Sequence, residues 1–188
     1  MQITLNDQTK GKIIEKSVRI LNNGGIIVYP SDTVYGIAVD ATNSGAIMRL
    51  DDLKKRRADQ KYSYNFASVE MIEKFIEISD EQKNIFSKYL PGPYTFILND
   101  EFSVRIPKDC IITEIVSAFR KPVTATSANI SGEQPATNTK NLNAKIYLAA
   151  DLIIEKTDII PKQPSTIVDI SKKPYRVVRH GELPFDES

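Results

Sequence analysis

Three stretches of the sequence place side chains that bind anions or small polar ligands beside strand-like segments. In residues 123–132 a strand pattern runs directly into Ser127 and Asn129. In residues 26–35 an apolar run enters Pro-Ser-Asp-Thr, and in residues 53–63 a basic cluster separates a helical pattern from a strand pattern. Because open α/β sheets bind ligands at the carboxyl ends of their strands, we expect these stretches to converge on one polyphosphate-binding cleft.

The basic cluster, residues 54–57, reads Lys-Lys-Arg-Arg. Lys54 and Arg56 are two residues apart in a chain that leaves a helix, so a point charge and a bidentate fork can meet one anionic group. The structural alternative is a solvated helix end, where cations suit the helix dipole. Taken alone, the cluster favours this alternative.

The other two stretches have turn alternatives. Ser31 and Asp32 fit an Asx turn, but turns rarely need two hydroxyls, a carboxylate and a phenol together. This combination favours a site for a polar ligand of amino-acid size. Ser127 and Asn129 fit a helix cap, although residues 130–143 contain few apolar side chains that could anchor such a helix.

Two arginines lie in strand patterns. Arg105 is in the middle of Ser-Val-Arg-Ile-Pro, and Arg179 ends the strand pattern of residues 175–179. A strand arginine is costly to bury without an anionic partner, and a surface-facing position is an equal alternative for each. Ser165 follows Pro164 at a strand start, where a turn is the common interpretation.

Composition limits the possible classes of protein. A chain of 188 residues with 41% hydrophobic and 26% charged residues is typical of a soluble globular protein, and we expect one domain over residues 1–188. The net charge of +1 gives no global argument for nucleic-acid or membrane binding. One cysteine and one histidine exclude a Cys/His metal site and fit a reducing, cytoplasmic location. P-loop, Rossmann and Gly-x-Ser-x-Gly motifs do not occur.

Hydrophobic periodicity predicts helices that alternate with strands. Helices are predicted over residues 9–23, 44–53, 69–78, 80–89, after a cap at Thr113, and weakly over 141–150. Strands are predicted over residues 26–29, 35–40, 62–68, 94–98, 104–106, 123–127, 152–155, 166–170 and 175–179. This alternation indicates an α/β fold with a mixed sheet.

Seven motifs follow one another along nearly the whole chain. They are Tyr-Pro-Ser-Asp-Thr-Val-Tyr-Gly (29–36), Lys-Lys-Arg-Arg-Ala-Asp (54–59), Leu-Pro-Gly-Pro-Tyr-Thr-Phe-Ile-Leu (90–98), Val-Arg-Ile-Pro (104–107), Thr-Ser-Ala-Asn-Ile-Ser-Gly (126–132), Pro-Ser-Thr-Ile-Val-Asp (164–169) and Arg-His-Gly (179–181). In this order and spacing they resemble the YrdC/Sua5 family in its short, single-domain form.

The resemblance implies a twisted mixed β-sheet flanked by helices around a deep, positively charged cleft. It also implies a threonylcarbamoyl-AMP synthase, a nucleotidyltransferase that joins L-threonine, bicarbonate and ATP and releases pyrophosphate. A threonylcarbamoyl-transferase complex would then modify tRNA to form t6A. Magnesium is expected with ATP, held mainly by phosphate oxygens and water.

The resemblance also implies residue roles. Lys54 and Arg56 would be catalytic and serve the phosphates. The nucleotide would further contact Ser127, Asn129 and Arg179. Threonine would be held by Ser31, Arg105, Ser165 and Asn65, with Arg105 as the partner of its carboxylate, while Thr33 and Tyr35 would shape the pocket. On this basis Lys54→Ala or Arg56→Ala should abolish activity with little change in melting temperature.

Two departures from the family pattern keep other functions open. Arg57 and Gln60-Lys61-Tyr62 replace the usual continuation of the basic motif, and Ile154-Glu155-Lys156 replaces a glycine pair before the Pro-Ser-Thr motif. One alternative is a YciO-like paralogue with weak or different carbamoyl-adenylating activity. Another is a non-catalytic protein that binds tRNA or double-stranded RNA. Residues 132–143 are the candidate for a lid over the cleft.

Overall fold

The core of the fold is one mixed sheet built from short strands. The computed structural model describes residues 1–32, 34–57, 60–156 and 163–186. The strands in these residues are β1 (Gln2–Thr4), β2 (Ile27–Pro30), β3 (Tyr35–Ala38), β4 (Ser63–Asn65), β5 (Tyr94–Ile97), β6 (Ser103–Arg105), β7 (Val123–Ser127), β8 (Leu152–Glu155), β9 (Thr166–Asp169) and β10 (Arg176–Arg179). They form a 10-stranded sheet in the order β1-β8-β2-β3-β7-β4-β6-β5-β9-β10.

Helices flank this sheet, as predicted for a mixed α/β fold. They are α1 (Lys10–Asn22), α2 (Ser44–Lys54), α3 (Val69–Phe75), α4 (Asp80–Tyr89), α5 (Ile111–Phe119) and α6 (Ala144–Ala149), with a 3-10 turn at Thr139–Asn141. Four of these six helices, α2, α3, α4 and α6, begin with a capping side chain. Asn43 accepts a hydrogen bond from the Ala46 amide, and Ser79 with Gln82 forms a capping box that separates α3 from α4.

Strand β2 is buried on both faces, which explains its continuous apolar sequence. Since successive strand residues point to opposite faces, Val28 packs in the cluster that contains Leu50 of α2. Ile27 packs on the other face in the cluster that contains Ile13 of α1 and Ile115 of α5. A third cluster lies under the β5–β6 half of the sheet and includes the aromatic rings of α4 and β5.

Strand β7 joins the two halves of the sheet. It pairs antiparallel with β3, where Gly36 opposes Ser127, and antiparallel with β4, where Asn65 opposes Val123. On the far side of β4, parallel pairing with β6 places Asn65 opposite Arg105. The register therefore sets β3, β7, β4 and β6 side by side, with Asn65 and Arg105 level with the start of β7 and Ser127 at its end.

Some predicted boundaries were wrong. Strand β1, which pairs in parallel with β8, was not predicted, and the strand predicted over residues 62–68 is confined to β4. Helix α5 begins before Thr113, whose hydroxyl donates to the Pro107 carbonyl at 2.8 Å rather than capping the helix. Arg105 is the last residue of β6 rather than its middle. Short elements carry too little periodic pattern for their ends to be read from sequence.

Candidate active site

A cavity of about 210 Å³ is lined by residues of β3, β4, β6 and β7 and of the turn after β2. Its walls include the following residues that the sequence predicts as ligand contacts: Ser31, Asn65, Arg105, Ser127, Ser165 and Arg179. Lys54, Arg56 and Asn129, which were predicted for the same site, are not part of its lining. Thr33 lies outside the described residues. The structure thus brings the predicted threonine contacts together and separates the basic motif from them.

Arg105 supplies one positive wall of the cavity. Its Nη2 donates to Asp32 Oδ1, and the two side chains are 13% and 12% exposed. Burial raises the pKa of Asp32, while the neighbouring Arg105 guanidinium lowers it. This strand arginine therefore has the anionic partner that its burial requires.

Arg179 supplies the second positive wall. A bulge between Val177 and Arg179 sets Arg179 opposite Ile167 of β9, and bulges re-aim side chains in this way. Arg179 Nη2 donates to Ser165 O at 2.9 Å and to Ser165 Oγ at 3.0 Å. Ser165 Oγ also lies 3.0 Å from Thr95 Oγ1. Arg179 thereby fixes the orientation of a hydroxyl in the cavity.

The two arginines affect each other. The pKa of Arg179 is lowered by burial and, next, by the charge of Arg105. Two like charges in one partly buried cavity favour an anionic ligand, because the ligand relieves their repulsion. The cavity is smaller than the roughly 300–1,000 Å³ of pockets that enclose drug-sized molecules. Its size and charge suit a small carboxylate or a single phosphate group.

Tyr29 also lines the cavity, next to Asn65. Its hydroxyl accepts a hydrogen bond of 2.8 Å from Asn65 Nδ2, and burial raises the pKa of Tyr29 far above its ordinary range. The ring covers Gly36, where a Cβ atom would lie 2.4 Å from Tyr29 Cζ. Glycine in the Val-Tyr-Gly motif is therefore required by the close approach of this ring.

The turn after β2 combines local bonding with a place in the wall. Ser31 Oγ donates to Val34 O at 2.5 Å and accepts from the Val34 amide at 3.2 Å. Tyr35 also lines the cavity, and its hydroxyl accepts from the Lys156 amide at 3.0 Å. The same residues thus form the turn and line the cavity.

Lys54 is buried at the end of α2, with 2% of its surface exposed. Its Nζ donates to the carbonyl oxygens of Ser127 at 2.6 Å and Asn129 at 2.7 Å. Burial and the nearby Arg56 lower the pKa of Lys54 from 10.5 to about 8. Lys54 therefore ties the end of α2 to the chain that leaves β7.

Asn129 continues this connection. Its side chain accepts from Ser127 Oγ and donates to the carbonyl oxygens of Ile130 at 3.0 Å and Glu133 at 2.7 Å. Residues 132–143, predicted as a lid, are anchored by these bonds and by the Ala136 carbonyl, which accepts from the Tyr35 amide at 2.9 Å. Ala136 is itself buried in the core.

Arg56 lies on the outer side of the same segment. It donates to the carbonyl oxygens of Gln60 and Lys61, and its guanidinium lies 4.0 Å from the centre of the Tyr62 ring. The Tyr62 hydroxyl donates to Asp51 Oδ1 of α2 at 2.7 Å. Tyr62, which departs from the usual family sequence, thus forms a stacking partner for Arg56.

Residues 19–181 match the family model named Sua5_yciO_yrdC and described as Telomere recombination. The chain belongs to this Sua5/YciO/YrdC family. Over 97% of the chain it is 30% identical to a protein of Methanocaldococcus jannaschii named putative threonylcarbamoyl-AMP synthase, of which it covers 92%.

Solved structures of the family have the same architecture. Pyrococcus abyssi Sua5 complexed with L-threonine superposes with a TM-score of 0.89 at 26% identity, over 98% of this chain. The chain spans only 58% of that protein. Escherichia coli YciO superposes with a TM-score of 0.83 over 96% of this chain and 94% of its own, but at 20% identity this likeness shows the fold alone.

Sequence patterns did not identify two features of this cavity. The sequence assigned Asp32 to a turn or to a site for a polar ligand, but did not show its pairing with Arg105. Thr95 lies in β5 with its side chain in the cavity, while Tyr94 and Phe96 pack in the core. Alternation within the Leu-Pro-Gly-Pro-Tyr-Thr-Phe-Ile-Leu motif is the signal that could have singled out Thr95, because one threonine interrupts a run of large apolar residues.

The described residues contain neither a membrane-spanning helix nor a cluster of metal-ligating side chains. Within residues 1–32, 34–57, 60–156 and 163–186, no helix is long and apolar enough to cross a membrane. The same ranges contain no group of three or more histidine, cysteine or acidic side chains arranged to hold a metal ion. Cys110 is buried, and its thiol donates to the Pro30 carbonyl, while burial raises its pKa to about 12.

Proposed function

We propose that the chain is a threonylcarbamoyl-AMP synthase. It would convert L-threonine, bicarbonate and ATP into threonylcarbamoyl-AMP, pyrophosphate and water. The observation that carries the proposal is the cavity, whose lining combines two arginines with three serines: Arg105, Arg179, Ser31, Ser127 and Ser165. Membership of the family and the names of its relatives support the same activity.

The cavity provides groups that match the parts of threonine. Arg105 is the partner for the carboxylate, because a guanidinium binds a carboxylate with two parallel hydrogen bonds. Ser31, Ser165 and Asn65 line the same wall and offer acceptors and donors for the amine and the hydroxyl. A volume of about 210 Å³ suits an amino acid better than a nucleotide.

The nucleotide would occupy the open side of this cavity, towards Ser127 and Arg179. In the proposed nucleotidyl transfer, a carbamate oxygen of N-carboxythreonine attacks the α-phosphorus of ATP, and the bond to the pyrophosphate oxygen breaks. Negative charge spreads over the phosphoryl oxygens, where positioned cations and hydrogen-bond donors stabilise it. Lys54 and Arg56 are the proposed catalytic cations, which requires each to exchange a backbone carbonyl for a phosphate oxygen. Because the carbamate is already anionic, proximity can supply much of the rate without a side-chain base.

Magnesium would enter with ATP. Asp32 is the acidic side chain paired with Arg105 in the cavity wall, and no cluster of metal-ligating side chains occurs among the described residues. Phosphate oxygens and water are therefore the fitting ligands for Mg²⁺, which usually keeps several waters in nucleotide sites. The bound ion would neutralise phosphate charge.

The product is a reactive mixed anhydride and needs an acceptor. We propose tRNA as the final acceptor, through a threonylcarbamoyl-transferase complex that forms t6A. Direct binding of tRNA or double-stranded RNA is less well supported, because a net charge of +1 gives little counterion-driven affinity.

Pyrophosphate release tests the proposal. The intact protein is incubated with ATP, bicarbonate and magnesium, with and without L-threonine, and pyrophosphate is measured alongside the adenylate product by mass spectrometry. Release should depend on threonine and yield threonylcarbamoyl-AMP. Release that follows another amine or carbamoyl donor would instead support a YciO-like paralogue, which the shared fold alone does not distinguish.

A matched pair of variants ties the activity to the cavity. Ser165→Ala removes the hydroxyl that Arg179 orients, whereas Ser87→Ala removes an exposed hydroxyl of α4 that bonds only to its own helix at Asn84. The first should lower the threonine-dependent rate, and the second should leave it unchanged. Equal effects of the two would place the activity elsewhere.

A further inference from the structure

The ion pair between Arg105 and Asp32 leaves both partners incompletely satisfied. Arg105 Nη2 donates to Asp32 Oδ1, so the contact uses one donor and one acceptor. Among the residues that the structure describes, buried Arg105 Nε and Asp32 Oδ2 have no hydrogen-bond partner. A two-point pairing is the stronger geometry for guanidinium and carboxylate, because both oxygens are then bound. The pair therefore lacks the two-point geometry of the strongest arginine–carboxylate pairs, although backbone hydrogen bonds from Asp32 and Lys108 also reach the Asp32 carboxylate.

Asn65 adds a third unsatisfied atom beside this pair. The β4–β6 register sets Asn65 opposite Arg105, and its Nδ2 is engaged by the Tyr29 hydroxyl. Asn65 Oδ1 is buried and also lacks a partner within the described part of the chain. A buried polar atom without a partner costs free energy, so a ligand that satisfies it gains affinity. One donor and two acceptors are thus concentrated in a single wall.

We propose that Asp32 is an internal carboxylate that occupies the anion site of Arg105 in the free protein and is replaced there by the carboxylate of the amino-acid substrate. The proposal rests on the proposed function, which makes Arg105 the partner of the threonine carboxylate. Binding then exchanges one arginine–carboxylate contact for another.

This exchange makes Asp32 a specificity-determining residue. A ligand that carries a carboxylate can displace Asp32, whereas an amino alcohol of the same shape cannot repay the broken ion pair. Discrimination of this kind depends on the competing contact as well as on the attractive one. The internal competitor also lowers the apparent affinity for threonine, because only the fraction of molecules with a free Arg105 is competent to bind.

Calorimetric titration of Asp32→Asn with L-threonine and with L-threoninol tests the proposal. The amide is nearly isosteric but neutral, so it competes poorly for Arg105. The dissociation constant for L-threonine should fall by about three-fold or more, and that for L-threoninol should fall at least as far, because neither ligand then has to break the ion pair. Asp40→Asn is the matched control, since Asp40 is a buried carboxylate paired with Lys121 at 3.2 Å outside the cavity. This control should leave both affinities unchanged.

Weaker or unchanged threonine binding by Asp32→Asn would overturn the proposal, because Asp32 would then orient Arg105 or play no part. If Asp32→Asn does not fold, Asp32→Ser removes the carboxylate with a smaller side chain and should change the affinity in the same direction.

The same titrations distinguish failure of the proposed function from failure of the Asp32 exchange. If the unmodified protein does not bind threonine, a panel of small carboxylates replaces it, and the Asp32 variants are titrated with whichever carboxylate binds. Tighter binding of that ligand by the variants would support Asp32 as the competitor while rejecting threonine. If no carboxylate binds the unmodified protein or either variant, the exchange itself is rejected.

Discussion

In the cavity, Arg105 has a donor without a partner among the described residues and lowers the pKa of Arg179, whereas at the end of α2 Lys54 donates to two backbone carbonyls. Both regions concentrate positive charge, and sequence motifs assign both to one ligand. Their hydrogen bonds differ: buried Arg105 Nε has no acceptor among the described residues, while two of the three donors of the Lys54 ammonium group are engaged by backbone carbonyls.

This difference shows why charge alone does not identify a ligand contact. A buried cation must have acceptors, and the acceptors decide whether it supports the chain or binds a ligand. Lys54 holds the loop that carries Ser127 and Asn129, so its effect on the nucleotide side of the site has a structural part. Arg105 lies in a wall where a carboxylate can replace Asp32. Substitutions can therefore separate the two regions by their effects on stability and on ligand affinity.

The largest effect on stability is expected for Lys54→Met. Methionine keeps the length and apolar stem of lysine but donates no hydrogen bond, so the carbonyl oxygens of Ser127 and Asn129 lose their charged donor. Hydrogen bonds to charged groups contribute about 1.5–3 kcal/mol each. Urea denaturation should give a free energy of unfolding lower by roughly 2–4 kcal/mol. This revises the sequence-based expectation that the melting temperature barely changes.

Lys55→Met is the control for Lys54→Met. Lys55 is exposed and adopts a left-handed conformation with φ 51°. Methionine is unbranched like lysine, so it can adopt this conformation at a similar cost. Its substitution should change the free energy of unfolding by less than about 0.5 kcal/mol. A Lys54→Met protein as stable as the unmodified protein, yet inactive, would instead assign Lys54 to the ligand.

Arg105→Lys should reduce threonine affinity rather than the free energy of unfolding. Lysine keeps the charge but loses the planar fork, so threonine affinity should fall by about 10-fold or more while the fold is retained. Calorimetry measures the affinity, and thermal unfolding monitors the fold. Arg49→Lys is the control, because Arg49 pairs with Asp151 at 3.2 Å on the surface away from the cavity. Comparable losses of threonine affinity in both variants would remove Arg105 from the site.

Some elements of the fold were predictable from sequence because their signals are local. The apolar run of β2, the cap at Asn43 and the capping box at Ser79 each identify their element without tertiary information. Strand β1 was not predictable, since Gln2–Thr4 gains its structure from parallel pairing with β8, far along the chain. The start of α5 at Ile111 was likewise not predictable, since no side chain caps it.

The candidate site was predictable only as a set of motifs. Motif order indicated that Ser31, Arg105 and Ser165 belong together, and the strand register brings them into one cavity. Their pairing partners were not visible in the sequence. Lys54 and Arg56 are two residues apart in one motif. Lys55 between them is in the αL conformation, so the Lys54 side chain is buried and the Arg56 side chain packs on Tyr62.

Lys54 should also have a smaller effect on how the free energy of unfolding depends on pH. The pKa of Lys54 is lowered from 10.5 to about 8, so between these values the unfolded chain binds a proton that the folded chain releases. Stability from this group therefore rises with pH across that window, by at most about 1.4 kcal/mol per pH unit. Urea denaturation at pH 7–10 should show the difference in unfolding free energy between the unmodified protein and Lys54→Met growing above pH 8. A constant difference would mean that the carbonyl acceptors keep Lys54 charged.

Arg56→Met should have the smallest effect on stability. The carbonyl oxygens that Arg56 contacts belong to exposed Gln60 and Lys61, and water can replace the guanidinium there. Loss of the contact with the Tyr62 ring should account for about 0.5–1 kcal/mol of unfolding free energy. If Arg56 serves the phosphates, threonine-dependent pyrophosphate release should nevertheless fall at least about 10-fold, since an arginine on developing phosphate charge contributes strongly. Activity that falls only in proportion to stability would place Arg56 with Lys54 as a support of the fold.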